Sequence, residues 1–93
     1  MVRHIVLYTL KEGVDKPKAV GIVASALEPL VGKIPGLRHM EIRQAFHGAD
    51  YALYSEFESR QALEDYRVHP LHLEAKKQFQ DFLDTRVAAD YEV

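Results

Sequence analysis

Ser59-Arg60-Gln61-Ala62-Leu63-Glu64-Asp65-Tyr66-Arg67-Val68-His69-Pro70-Leu71-His72 is the stretch where a strand hands the chain over to a helix. Ser59 is a natural N-cap, and Ala62, Leu63 and Tyr66 make one apolar side of a short helix. His69 precedes a proline, which disfavours the α conformation at His69, so the helix breaks or kinks there. Pro70 opens a second segment, in which Leu71, His72, Ala75, Phe79, Phe82 and Leu83 mark a buried stripe. The same stretch gathers three residues suited to proton chemistry, Tyr66, His69 and His72, three apart from one another.

Working backward, Tyr51 to Phe57 reads as a strand, with Tyr51, Leu53 and Phe57 opposed by Ala52 and Tyr54. Apolar residues on both faces make it central in its sheet. His47-Gly48-Ala49-Asp50 is a tight connection that implies a hairpin with Leu37 to Phe46. In that strand Met40 and Ile42 lie on one side and His39, Glu41 and Arg43 on the other, the alternation of a peripheral strand. Before it, Asp15 is an N-cap and Pro17 belongs in a first helical turn. Val20, Val23, Ala24, Leu27 and Val31 recur at helical spacing and predict a helix to about Val31, its last turn loosened by Pro29. Gly32 and Ile34-Pro35-Gly36 end it. Val2 to Leu10 opens the chain as a strand carrying Val2, His4, Val6, Tyr8 and Leu10 on one face and Ile5 and Leu7 on the other, again a central pattern. Working forward, Asp84-Thr85 turns the chain into Arg86–Val93, an edge-type strand in which Val87, Ala89, Tyr91 and Val93 alternate with other residues.

The order β-α-β-β-α-β predicts an α+β, ferredoxin-like fold over residues 1–93, with strands one and three in the middle of a four-stranded antiparallel sheet. Helices cover one face of such a sheet. The other face of so small a chain needs a cover, and a second copy packed sheet to sheet supplies one, so a homodimer is expected.

The 93 residues suffice for one domain. A chain of this size buries only roughly 60–65% of its unfolded surface, which favours a partner. Twelve basic against fourteen acidic residues, a net charge of −2, give no electrostatic footprint for nucleic acid, and no basic run suits a membrane surface. There is no cysteine, which excludes thiol chemistry and fits a reducing compartment. The apolar start is too short for a signal-peptide core and no window approaches about 20 apolar residues, so a soluble cytoplasmic protein is the expectation.

Several motifs taken together resemble the stress-responsive A/B barrel (Dabb) family. They are His4-Ile5-Val6-Leu7, Ile34-Pro35-Gly36-Leu37, Ser55-Glu56-Phe57-Glu58-Ser59, Ala62-Leu63-Glu64-Asp65-Tyr66, Val68-His69-Pro70-Leu71-His72 and Arg86-Val87-Ala88-Ala89-Asp90-Tyr91-Glu92-Val93. The resemblance runs nearly end to end and implies a dimeric α+β barrel. The family includes a plant polyketide cyclase, olivetolic acid cyclase, that closes an aromatic ring without metal or organic cofactor. The resemblance implies that its catalytic His and Tyr correspond to His72 and Tyr66, and an early pocket His to His4. Another pocket His of that enzyme falls at Leu53 here, which argues against the same substrate and orientation.

From the residues themselves, a His72 kept neutral by a helix start and by burial can take a proton, while Tyr66 donates to a developing oxyanion. Enolisation or aldol-type closure on a small hydrophobic carbonyl or phenolic compound would suit that pair, with His4 as helper and Tyr8, Leu53, His69 and Phe79 as ligand-binding residues. No cofactor is expected. His69 and His72 lack a third ligand of fixed geometry, so no metal site is expected. His69 also fits a role in capping the helix break. Tyr66 and His72 can equally fill the space between helix and sheet, with their polar ends bonded to backbone. That second reading makes the chain a non-catalytic assembly module. A third, a cofactor-independent monooxygenase of the same architecture, shares only the fold.

Overall fold

The computed structural model describes all 93 residues. Strand β1 (Val2–Leu10) leads into helix α1 (Lys16–Leu27) and a short 3-10 turn (Glu28–Leu30). Strands β2 (Leu37–Gln44) and β3 (Tyr51–Phe57) follow as a hairpin. Helices α2 (Arg60–Val68) and α3 (Pro70–Lys76), a second 3-10 turn (Gln80–Phe82) and strand β4 (Leu83–Glu92) complete the chain. The sheet runs β2-β3-β1-β4 with every pairing antiparallel, so strands one and three are central as the residue pattern predicts.

The helix starts obey local chemistry. Asp15 accepts from the Lys18 amide and Ser59 from the Ala62 amide, each satisfying a backbone donor that the helix leaves orphaned. Pro29, which has no amide to donate, ends α1 at Leu27 and tightens the next residues into the 3-10 turn. The expected helix to Val31 is therefore shorter. The Glu28 carboxylate accepts from the Ile42 amide, covering a donor on the outer edge of β2. Asp50 accepts from the Leu10 amide at 2.7 Å and lies 2.8 Å from Lys16 Nζ, fastening the hairpin to β1 and to the start of α1.

Other expected boundaries shift. Strand β2 stops at Gln44, and Phe46 beyond it is fully exposed. Leu83 opens β4 three residues before the expected Arg86, because β1 reaches down to pair Leu10 with it. Leu83 thus leaves the helical stripe. Leu71, also assigned to that stripe, lies on the exposed side of α3.

One apolar layer forms between sheet and helices. Val6 and Phe57 from the sheet meet Val23 and Leu27 of α1 there, all fully or almost fully buried. The opposite sheet face is not covered within the chain. The register sets Ile5 and Leu7 beside Ala89 and Val87 on that face, and Leu7 is 44% and Val87 69% exposed. Two-sided burial of β1, read from its residues, is thus one-sided in the single chain. On the helix side the cover stops short of β4, which stays exposed along almost its whole length. No helix is long and apolar enough to cross a membrane.

Candidate functional site

The uncovered border between β1, β4 and the α2–α3 corner opens into a cavity of about 400 Å³. Its floor is the helix-side face of the central strands, supplying His4, Tyr8 and Leu53, and its roof is Leu63, Tyr66, His72 and Phe79. Six of the seven residues singled out from the sequence therefore line one space. His69 does not. It has φ −65° and ψ 134°, the extended conformation expected before proline, and its Nδ1 accepts from the Leu71 amide at 3.1 Å. His69 closes α2 and caps α3 at once, so the ligand-binding role assigned to it gives way to a local structural one.

The break at His69 decides how Tyr66 and His72 meet. In one continuous helix, residues six apart differ by roughly 120° around the axis and cannot face each other. With the chain turned at His69-Pro70, the two rings stack, centroids 4.0 Å apart and planes 26° from parallel. The Tyr66 hydroxyl makes no hydrogen bond within the chain and so remains free to donate. Burial pushes its ionisation well above the ordinary tyrosine range, so it stays protonated.

His72 is half-buried, and loss of water around the imidazolium holds its pKa below the usual histidine value, with Lys76 and His4 adding weaker repulsion. The Arg67 carbonyl opposes this through a long 3.4 Å contact to Nδ1. Because a carbonyl only accepts, Nδ1 is the protonated nitrogen in that contact and Nε2 carries the free lone pair.

His4 is buried on β1, and its Nδ1–H donates to the Asp90 carboxylate directly across the β1–β4 pairing. Asp90 also accepts from Arg67 Nη2 at 3.0 Å. The nitrogen of His4 left for the cavity is Nε2. Tyr8 stacks on the buried Tyr51 with centroids 4.7 Å apart. Burial raises the Tyr8 pKa, and nearby Arg86, whose guanidinium lies 6.0 Å from the ring centroid, works against that rise.

Residue reading alone passed over Asp90, Arg67, Lys76 and Arg86. The signal for Asp90 was available in the register: an edge strand antiparallel to β1 that ends opposite Val2 puts residue 90 across from His4. Lys76 follows from no such count, because the corner at His69 sets the direction of α3, which carries it. Nothing gathers three or more metal-ligating side chains.

The family model for the stress responsive A/B barrel domain (Dabb) matches residues 2–93. An uncharacterized protein of Streptomyces coelicolor is 36% identical over 98 residues, covering 99% of each chain. A stress-response A/B barrel domain-containing protein of Arabidopsis thaliana is 28% identical over 96 residues, covering 97% of this chain and 87% of that one. Among solved structures, a dimeric ferredoxin-like protein of unknown function from Bacteroides fragilis superposes with a TM-score of 0.88 at 32% identity, covering 99% of this chain and 95% of that one. With a family model matched over nearly its whole length and these relatives beside it, the chain belongs to the stress responsive A/B barrel domain family.

Proposed function

We propose that the protein is a homodimer whose subunits each bind a small hydrophobic carbonyl or phenolic compound in the helix-side cavity and move a proton on it without a cofactor. The observation that carries this reading is the convergence of His72, His4 and the unbonded Tyr66 hydroxyl on one open cavity of about 400 Å³, within the size of small-molecule sites. In the step that follows, His72 Nε2 accepts a proton from carbon next to the ligand carbonyl. The bonding pair moves into the enolate, and the Tyr66 hydroxyl hydrogen-bonds its oxygen. Both groups are in the required protonation state at neutral pH. His4, oriented by Asp90, is the helper. Dimerisation is supported by the open apolar sheet face and by the dimeric Bacteroides relative.

The test is titration of a panel of small carbonyl and phenolic compounds into the wild type, His72→Ala and Tyr66→Phe. At least one compound is expected to bind the wild type and to lose roughly tenfold in affinity for Tyr66→Phe, the size of one lost hydrogen bond. Unchanged affinity of every ligand in both variants overturns the reading. It would then favour the alternative in which the Tyr66–His72 stack and the His4–Asp90 bond only brace α2 and α3 against the sheet, as in a structural assembly module.

A further inference from the structure

The cavity is chemically lopsided. Its apolar side chains cover the interior, whereas every charged residue that lines it is a cation: Arg67, Lys76 and Arg86, with no Asp or Glu among them. Arg67 is neutralised by Asp90 and Glu64. Lys76 and Arg86 take part in no ion pair, although the chain has more acidic than basic residues with which to form them. Arg86 comes from the helix-side face of β4, the part of the sheet that no helix covers, and lies beside the Tyr8 ring. An unpaired guanidinium next to a tyrosine at the rim of an apolar cavity is a receptor for a planar anion, since its fork matches a carboxylate's two oxygens.

We infer that the ligand of this cavity is an amphiphilic carboxylic acid, its carboxylate held at the rim by Arg86 with Tyr8 and Lys76, and its apolar body against Leu27, Leu53, Leu63 and Phe79. This rests on the cavity being a binding site and adds the charge and polarity of what enters it. The carboxylate end stays at the β4 rim, while the body reaches inward toward the Tyr66–His72 stack. Arg86 is therefore a specificity residue separate from the proton-transfer pair.

The experiment compares octanoate with octanamide, and phenylacetate with phenylacetamide, by calorimetric titration into the wild type, Arg86→Gln and Lys76→Gln. Each pair shares a body and differs in charge. The acids are expected to bind the wild type roughly tenfold tighter than their amides, the advantage of a charge-assisted hydrogen bond. Arg86→Gln should bring acid affinity down to about the amide's and lower amide binding far less than acid binding, while Lys76→Gln lowers acid affinity less than Arg86→Gln does. Amide and acid binding equally well overturns the anion inference and leaves the pocket standing. Neither pair binding overturns the inference, and the carbonyl and phenol panel then decides separately on the pocket. Thermal unfolding of each variant checks that it is folded, and raised salt should weaken the acids alone.

Discussion

His72 couples the stability of this protein to pH just below neutrality. Its folded-state pKa lies below the ordinary value of 6.5, chiefly because burial strips water from the charged ring. The unfolded chain therefore takes up more protons than the folded one as pH falls through and below that value. Stability linked to His72 is complete above the unfolded pKa and declines on acidification. His72→Phe keeps a ring against Tyr66 and removes the titration. The difference in unfolding free energy between wild type and His72→Phe is expected to shift against the wild type between about pH 7 and about pH 5. Denaturant melts across that range measure it, and a constant difference would mean that His72 does not change charge on unfolding. His4 differs in that its imidazole has a carboxylate partner in Asp90. Asp90→Asn keeps an acceptor but removes the charge, and is expected to weaken the wild-type response of any ligand that contacts His4, read from imidazole NMR shifts.

At the scale of elements, the approach of β2 to α2 depends on one glycine. Gly36 has φ +84°, and a Cβ there would sit 2.5 Å from the Cβ of Ala62 on α2. Neither atom can rotate away, so the helix must move. Gly36→Ala is expected to cost about 2 kcal/mol or more, combining the left-handed backbone penalty with overpacking. Gly48 has nearly the same φ, +85°, with nothing within 4 Å of an added Cβ, so Gly48→Ala should cost only about 1 kcal/mol. Chemical denaturation of both variants separates the steric part from the conformational part; equal losses would show that the α2 contact yields freely. Because α2 carries Leu63 and Tyr66 over the cavity, Gly36→Ala should also weaken ligand binding, while Gly48→Ala should not. The α2–α3 corner was readable from His69-Pro70, and so was its cap. The stacking it produces was not, since the sense of the turn depends on how Leu63 and Ala75 seat in the core.

For the whole molecule, the sheet face left open by the helices is the expected dimer surface. Leu7 and Val87 are neighbours across the β1–β4 pairing and both are exposed in the single chain. Leu7→Glu is expected to shift the protein toward monomer in light scattering at micromolar concentration. An unchanged dimer mass would place the interface elsewhere, and a monomeric wild type would remove it altogether. Strand order and helix starts were legible because they rest on local residue patterns: apolar residues on both faces of β1 and β3 against the cleaner alternation of β2, the caps Asp15 and Ser59, and prolines at 17, 29 and 70 that set local backbone angles. Strand ends were less legible. The bounds of β4 depend on how far β1 extends to pair with it, and a stripe residue such as Leu83 looks the same whether a helix or a strand buries it. Cavity membership was partly legible, because His4 and Tyr8 alternate on one strand face and must point the same way. Sequence by itself thus determined the elements, their order and the candidate proton-transfer residues. Only the tertiary structure decided that Asp90 holds His4, that Tyr66 and His72 stack, and that Arg86 and Lys76 stand unpaired at the rim. Those relations join residues from separate elements, and their distances are set by packing that no local spacing encodes.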